Sequence, residues 1–507
     1  MSDVHRQLLQ AAVAHPPAYP EGRYEGRGIV ICAGGARLFT CAYVAIGILR
    51  RVLGCTLPIE VWHLGAADIG PPMRRLLEDF DVAVVDGLAV AKQHPVRTLG
   101  GWELKPYAVI HSRFREVLLL DADNVPTVDP AFLCDLPEYA EAGALFWPDI
   151  VRLKQDAAIW ELTGVPYTSL PTVESGQAVL DKQLCWPALQ LAMHMNEHSD
   201  FYYQHIYGDK DTFFIAWRRL GQPYAMTPHA PRQDQYGLYQ RGFDGRVVFQ
   251  HRNSAKWIVD GRNPRVPGFQ HEDACLGLLE ELKGVWDGLV FLPPPASAAA
   301  VGATAALEVA QWFDLLRIGE NGRALQLLSD NRIGEGRDGQ AFYWSVEEDR
   351  EGLCLNLHGR RRLSAKLRPQ ADGSWAGRAL HGDVFLELSP CLARSSRAAE
   401  AASPVSLSPA SVLEHLVVPP PDPAADPGSV SDLAAALRLL ARRLPGFAAA
   451  MAERLQRSGG QANAALACLK AALADIEASP DGAADPRSGH GTGYRIRNMG
   501  RLYEPHS

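Results

Sequence analysis

Short apolar runs alternate with helical stretches from Gly28 to about Leu292, and this alternation limits the folds open to the chain. Strands buried on both faces read as continuous runs of Val, Ile and Leu, and helices between such strands connect them in parallel. The predicted strands are GIVIC, IEVWHL, VAVVD, EVLLLD, ALFW and RVVFQ. Helices are expected at about 43–53 and 73–80. The pattern predicts an α/β fold with a mainly parallel sheet.

The remainder of the 507 residues divides by composition. A segment rich in Pro, Ala and Gly follows the α/β region, and after it short alternating strands separated by ENG, DG and GDG turns predict a small antiparallel β unit. We expect an N-terminal extension (1–27), the α/β domain (28–292), a linker (293–308), the β-rich domain (309–395), a second linker (396–430), a helical segment (431–480) and a flexible tail (481–507).

Charge and cysteine usage narrow the functional classes. The formal net charge is −8, with 50 Lys and Arg against 58 Asp and Glu, so we expect no nucleic-acid partner. Nine cysteines are scattered singly without a CxxC pair, which is typical of a reduced compartment. The start of the chain lacks a signal-peptide pattern, and the apolar run 41–49 is shorter than the roughly 20 residues of a membrane span. We therefore expect a cytoplasmic protein with no integral membrane segment.

Two carboxylates follow the most apolar predicted strand. Asp121 and Asp123 stand two residues apart at the end of EVLLLD, so the strand period directs both to the same side. Ligands of open α/β sheets bind outside the carboxyl ends of the strands, and hard divalent cations prefer oxygen ligands. The pair predicts a metal site that shares a diphosphate. The structural alternative is an Asx turn before Pro126.

A small-residue loop follows the first predicted strand. Ala33 and Gly34 would let the backbone approach a nucleotide, and the helix expected near Tyr43 would favour an anion at its N-terminus. The loop is neither GxGxxG nor a P-loop with its Lys, which disfavours dinucleotide dehydrogenases and P-loop hydrolases. A tight strand-to-helix turn is the structural alternative.

Four further motifs place polar residues near predicted strand ends or helix starts. They are WELKPY with Lys105, ESGQAVLDK with Glu174, GDKDTF with Asp209 and Asp211, and VVFQH with His251. Each alone has an ordinary interpretation as a surface charge, a turn, a helix N-cap or a histidine at a strand end.

Together and in this order, the segments GIVICAGG, LPIEVWHLG, LKPYAVIHSRFREVLLLDADNVPTVDP, FWPDI, ESGQAVLDK, GDKDTFFIAW and VVFQH resemble the fungal Golgi α-mannosyltransferase family (Mnn1-like, glycosyltransferase family 71). The resemblance covers about residues 28–260. It implies a GT-A fold, a nucleotide-sugar donor, a divalent cation and retention of configuration at the transferred sugar.

The resemblance also implies roles for individual residues. Asp121, Asp123 and His251 would bind the metal, Mn²⁺ in the first place with Mg²⁺ as the alternative, because an imidazole beside carboxylates favours Mn²⁺. Asp211 and Glu174 are the candidate catalytic carboxylates, which would stabilise positive charge at the anomeric carbon. The expected donor-binding residues are Ala33, Gly34, Lys105, Asp121, Ser175, Gly176, Gln177 and Asp209.

The partners stay open at several points. GDP-mannose is the donor that the resemblance implies, with UDP-sugars as the alternative, and the acceptor is a glycan, a lipid-linked sugar or a protein. The fungal members are membrane-anchored, whereas we expect no anchor in this chain, and this difference leaves both the acceptor and the donor open. A sugar-nucleotide pyrophosphorylase is the competing enzyme class, because CAGGARLF is similar to the Gly-rich start of those enzymes. An inactive carbohydrate-binding or scaffold protein is the non-enzymatic alternative.

Overall fold

The structure, a computed structural model, describes residues 2–317, 322–359, 362–380, 384–391 and 503–505. The described α-helices are α1 (Ser2–Ala14), α2 (Gly35–Gly47), α3 (Pro71–Glu78), α4 (Gly87–Gln93), α5 (Leu104–His111), α6 (Pro137–Ala142), α7 (Ile159–Thr163), α8 (Lys182–Glu197), α9 (Ser199–Tyr202), α10 (Lys210–Leu220), α11 (Glu272–Val285) and α12 (Ala298–Ala310). A π-helical turn (Ile48–Val52) follows α2, and a 3₁₀ helix (Pro130–Asp135) precedes α6.

The strands belong to two regions of the chain. Those of the α/β region are β1 (Arg27–Cys32), β2 (Ile59–His63), β3 (Val82–Asp86), β4 (Glu116–Asp121), β5 (Asn124–Pro126), β6 (Ala144–Pro148), β7 (Val151–Leu153), β8 (Val173–Asp181), β9 (Ala225–Met226), β10 (Arg232–Gln233), β11 (Leu238–Arg241) and β12 (Val247–His251). Those beyond it are β13 (Trp312–Arg317), β14 (Arg323–Gln326), β15 (Tyr343–Asp349), β16 (Gly352–His358), β17 (Leu363–Pro369), β18 (Trp375–Ala379), β19 (Phe385–Pro390) and β20 (Tyr503–Pro505).

A seven-stranded sheet in the order β3-β2-β1-β4-β8-β6-β9 forms the centre of the α/β region. β3, β2, β1 and β4 are parallel neighbours, and β8 runs antiparallel to both β4 and β6. Successive residues of β4 point to opposite faces, so Leu118 and Leu120 enter one core while Val117 and Leu119 enter the other. Burial on both faces explains why this strand reads as an unbroken apolar run.

A smaller sheet in the order β10-β11-β12-β5 lies beside the carboxyl end of β4. Its edge strand β5 begins only three residues after Asp121, and it pairs antiparallel with β12, with His251 opposite Asn124. The backbone N–H of Arg252 donates to the carbonyl of Asp123 at 2.9 Å. This register fixes the end of β12 against the acidic turn that follows β4.

The third sheet contains β14-β13-β19-β18-β17-β16-β15, and all of its neighbouring strands are antiparallel. Its interior is a separate apolar cluster that includes Phe313, Trp344, Leu355 and Leu367. Within the described residues, the predicted α/β fold with a mostly parallel sheet and the small antiparallel β unit that follows it are confirmed.

Two predicted boundaries were wrong. The expected linker 293–308 contains most of helix α12, because alanine is the best helix former and the Ser297 hydroxyl caps the helix by accepting from the Ala300 N–H. The helix expected near Tyr43 begins at Gly35, so the small-residue loop is shorter than predicted. Thr40, Cys41 and the residues that follow them in α2 are buried.

The predicted second linker (396–430) and helical segment (431–480) lie outside the described residues. In the predicted flexible tail, Tyr503–Pro505 instead forms strand β20, which pairs antiparallel with Val151–Leu153. Within the part of the chain that the structure describes, no helix has the length and apolar character required to cross a bilayer.

Two glycine substitutions test the packing of the central sheet. At Gly28, a Cβ atom would lie 2.4–2.5 Å from the ring of Phe114, so we expect Gly28→Ala to lower the free energy of unfolding by about 1–3 kcal/mol. Gly277, exposed within α11, has no atom near its Cβ position, so Gly277→Ala should raise it by about 0.5–1 kcal/mol. Denaturant unfolding of both variants measures the two changes in the free energy of unfolding, which should have opposite signs. Equal changes would contradict the close contact between Gly28 and Phe114.

Candidate active site

Asp121, Asp123 and His251 converge at the carboxyl end of β4. The His251 Nε2 lies 3.3 Å from Asp123 Oδ1 and 3.8 Å from Asp121 Oδ2. The Asp123 and His251 side chains are almost completely buried, whereas that of Asp121 is 24% exposed. The sequence predicted this group, and the structure brings its three members together.

Lys105 balances the charge of Asp121. Its Nζ lies 2.8 Å from Asp121 Oδ1 and 3.3 Å from Asp209 Oδ2, and it donates to Ser175 Oγ at 3.0 Å. Burial disfavours the charged lysine, but the two carboxylates outweigh burial and raise its pKa. The same contacts act on Asp121, where Lys105, His251 and Lys256 overcome the effect of burial and lower the pKa. Lys105 therefore stays cationic and Asp121 ionised.

Sequence reasoning missed Lys256. Its Nζ forms an ion pair with Asp123 Oδ2, and its side chain is 22% exposed. The loop that carries it is held by Arg252, whose Nε donates to the carbonyl of Ala255 at 2.8 Å and whose guanidinium lies 3.6 Å from the ring centre of the buried Trp257. The only signal in the sequence was a lysine five residues after His251, which no local pattern connects to Asp123.

Glu174 lies on the far side of the His251 ring. Its Oε1 is 3.7 Å from His251 Nδ1 and accepts from the N–H of Gly176 at 2.9 Å. Burial, followed by the neighbouring Asp149 carboxylate, raises the pKa of Glu174. Gly176 leaves room for the imidazole, because a Cβ there would lie 2.7 Å from His251 Nδ1. A side chain at position 176 would therefore collide with the His251 ring.

Gln177, predicted to bind the donor, lies beside the acidic turn and contacts Asn124. Its side chain is fully buried, and its Oε1 accepts from the Nδ2 of Asn124 at 2.6 Å. Asn124 also donates to the carbonyl of Gly176 at 2.9 Å. These hydrogen bonds hold the turn after Asp123 against β8. Ser175, by contrast, is part of the Lys105 network and donates to Asp209 Oδ2 at 2.8 Å.

The GDKD motif contributes to the same neighbourhood through three charged residues. Asp209 does not cap α10 with its side chain; its carboxylate binds Lys105 and Ser175 instead. Lys210 forms a buried ion pair with Asp149, another residue that sequence reasoning did not select. Asp211 is fully buried, and its Oδ2 accepts from the backbone N–H of Tyr207 at 3.1 Å. Asp211 therefore shapes the loop before α10.

The loop after β1 lies next to the acidic group, since Cys32 pairs with Asp121 across the sheet. Ala33 is buried, and its N–H donates to the carbonyl of Trp62. Gly34 packs on Asp68, whose Oδ2 would be 2.2 Å from a Cβ at that position. Gly34 precedes the first turn of α2, so the predicted helix N-terminus lies at this end of the sheet.

The acidic group has a donor set suited to a divalent cation. One ligand atom each from Asp121, Asp123 and His251 lies within 4.8 Å of the others. Carboxylate oxygens and an imidazole nitrogen are common ligands of divalent cations. The orientation of Nε2 toward both carboxylates supports this role for His251.

A second acidic group in the β unit meets the same distance criterion with Glu347, Asp349 and Cys354. It contains no imidazole, and Lys366 and Arg368 pair with its carboxylates at 3.0 and 2.8 Å. Lysines also pair with the carboxylates of the first group, so the absence of an imidazole is what distinguishes the second group and makes it a matched control.

Comparison with known proteins gives a consistent result for the α/β region. Residues 26–168 and 165–243 match the family described as "Mannosyltransferase putative". The chain is 25% identical over 268 residues to α-1,2-mannosyltransferase MNN21 of Candida albicans, a match that covers 41% of this chain and 40% of the relative. It is 25% identical over 281 residues to α-1,2-mannosyltransferase MNN2 of Saccharomyces cerevisiae, covering 46% of each. The chain thus spans less than half the length of these relatives.

Among solved structures, the galactosyltransferase LgtC in complex with donor and acceptor sugar analogues matches at 12% identity with a TM-score of 0.34. The match covers 53% of this chain and 98% of LgtC.

The metal assignment predicts a cation-dependent rise in thermal stability. We expect Mn²⁺ at about 100 times its Kd to stabilise the protein by roughly 2.7 kcal/mol, because it binds the folded state alone. Asp123→Asn and His251→Ala should remove most of the Mn²⁺-induced shift in Tm. Asp349→Asn, in the second acidic group, should retain it. Scanning fluorimetry with and without Mn²⁺ measures the shifts, and a full shift in Asp123→Asn would place the cation elsewhere.

Proposed function

We propose that this chain, whose residues 26–243 belong to the Mnn1-like family of α-mannosyltransferases, is a metal-dependent retaining glycosyltransferase. It would move a hexose, mannose in the first place, from a nucleotide sugar to a hydroxyl group of a glycan, lipid-linked sugar or protein. GDP-mannose is the favoured donor because the curated relatives are mannosyltransferases. UDP-sugars are the alternative donors.

The observation that carries the proposal is the convergence of Asp121, Asp123 and His251 at the carboxyl edge of the sheet, beside the buried Lys105. A nucleotide diphosphate carries negative charge, and the whole chain is acidic, so local positive charge is required for binding. When bound, a divalent cation would neutralise the departing diphosphate, which is Lewis-acid and template catalysis. Asp121, Asp123 and His251 would hold that cation.

The protein's own residues prepare the site for the developing charges. Lys105, fixed by Asp209 and Ser175, keeps Asp121 ionised and oriented without rearrangement during the reaction. During retaining transfer, positive charge grows at the anomeric carbon as its bond to the diphosphate oxygen breaks. The acceptor oxygen forms the new bond, and its proton passes to the leaving diphosphate.

Glu174 is the carboxylate we assign to the anomeric charge. It lies next to His251 and retains some exposure, at 15% of its side chain, whereas Asp211 is fully buried and bonded to a backbone N–H. A carboxylate with some exposed surface is better placed to approach a sugar than one that is fully buried. Asp211 would then support the loop that borders the donor instead of contacting the reacting atoms.

The proposal includes a cytoplasmic location. It is supported by the cysteines: in the described part of the chain, free thiols are found at Cys32, Cys41, Cys55, Cys134, Cys185, Cys275 and Cys354. Single, unpaired cysteines are typical of proteins in reducing compartments. Cell fractionation tests this part of the proposal, and recovery in a secretory or periplasmic fraction would contradict it.

The activity is tested by a transfer assay. We expect wild-type protein with Mn²⁺ to move mannose from GDP-mannose to a mannoside acceptor with an α-linkage. Asp123→Ala should abolish transfer, because one cation ligand is lost, while Asp349→Ala in the β unit should remain active. Product mass and anomeric configuration, the latter by NMR, provide the measurement.

The same assay distinguishes the competing classes. Release of a sugar 1-phosphate from a nucleotide sugar on addition of pyrophosphate would favour a pyrophosphorylase. Binding of glycans without turnover of any nucleotide sugar would favour an inactive carbohydrate-binding protein. Either result contradicts the proposed function.

The roles of the two carboxylates predict different kinetic effects. Glu174→Gln should reduce kcat about 100-fold or more, since a preorganised charge is lost. Asp211→Asn should reduce kcat less than about tenfold, because the amide oxygen still accepts from the Tyr207 N–H. Steady-state kinetics with both variants checks the order, and a parallel Mn²⁺ titration shows whether Glu174→Gln acts through His251. A larger loss in Asp211→Asn would reverse the assignment.

A further inference from the structure

Two lysines form ion pairs with Asp121 and Asp123, and they differ in burial and in the number of their partners. Lys105 contacts Asp121, Asp209 and Ser175 from helix α5 and is buried. Lys256 projects from a loop and is partly exposed, and among the described residues Asp123 is its one ion-pair partner. An incoming cation would therefore displace Lys256 far more readily than Lys105.

The position of the Lys256 Nζ conflicts with that of a metal ion. It contacts Asp123 Oδ2, while Asp123 Oδ1 faces His251 Nε2 at 3.3 Å. A divalent cation bound by Asp123 and His251 would lie beside the ammonium group, and like charges at such a separation repel strongly where water is largely excluded. The Asp123 carboxylate can thus bind the lysine or the cation tightly, but it cannot bind both tightly at the same time.

The backbone on both sides of Lys256 is anchored. Arg252 is buried and holds the carbonyls of Ala255 and Pro264 at 2.8 and 3.2 Å, and Trp257 is fully buried. The loop therefore keeps its place, and only the flexible four-carbon side chain of Lys256 can swing. A displaced ammonium stays within a side chain's length of the metal site, where the most available anion is the diphosphate that shares the cation.

We infer that Lys256 acts as a tethered cation that occupies the site before the metal and moves to the nucleotide diphosphate when the metal enters. This inference rests on the proposed function for the identity of the nucleotide. Its consequence is positive coupling: the diphosphate offers Lys256 a new partner, so nucleotide and metal each tighten the binding of the other. Lys256 is a positioning and binding residue in this scheme, and it forms no covalent bond.

The test measures Mn²⁺ binding directly, by the EPR signal of free Mn²⁺, without nucleotide and with GDP. Lys256→Met removes the charge while keeping a similar side-chain length. We expect Lys256→Met to bind Mn²⁺ alone about tenfold more tightly than wild type and GDP in the presence of Mn²⁺ about tenfold more weakly. Lys256→Arg should stay close to wild type because it keeps the charge.

Controls separate this inference from the proposed function. Lys283→Met, on the surface of α11 and paired with Glu280, should leave both affinities unchanged. If Lys256→Met does not fold by circular dichroism, Lys256→Gln replaces it. Mn²⁺ affinity without nucleotide that equals or falls below the wild-type value overturns the inference. Sugar transfer by the wild-type protein is measured separately. If the wild type transfers no sugar while Lys256→Met binds Mn²⁺ more tightly, the result contradicts the proposed function but not this inference.

Discussion

The ion pair between Lys105 and Asp121 is the contact on which the rest of the site depends. Asp121 ends a strand that is buried on both faces, so its carboxylate starts in an environment that opposes ionisation. The Lys105 cation, held by Asp209 and Ser175, is the largest of the charges that reverse that effect, followed by His251 and Lys256. The charges of the site are therefore set by helix α5 and the start of α10 before any ligand binds.

The second layer of the site consists of contacts that orient the histidine. Gly176 provides the space against which the His251 ring packs, and Glu174 lies near its inner nitrogen, which has no hydrogen-bond partner among the described residues. Asn124, in the turn after Asp123, donates to the Gly176 carbonyl and so connects this turn to β8. Such supporting groups commonly fix which nitrogen of a histidine faces a metal. The strand β8 thus carries the residues that surround the His251 ring.

Local signals explain which parts could be predicted from the sequence. Strand runs and the carboxylates that end them are encoded within a few residues, so the sheet, Asp121 and Asp123 were predicted, and the family resemblance supplied His251. Lys256 depends on a loop folding back on Asp123, and no local pattern encodes that return. The ESGQ motif led to the prediction that Gln177 lines the donor pocket, but the sequence did not indicate that its side chain is completely buried.

The β unit packs on the α/β domain. Most of its apolar side chains form their own cluster, but Phe342 and Tyr343 belong to the core of the α/β domain. Tyr343 stacks on Phe291, with ring centres 4.4 Å apart, and its hydroxyl donates to Asp287. Burial and Asp287 raise the pKa of Tyr343, so the phenol remains a donor. Nearby, Trp286 packs on Phe39 of α2, the helix that begins just after the loop beside Asp121. The composition changes near residue 292, but the apolar core continues across that point and reaches the helix that borders the site.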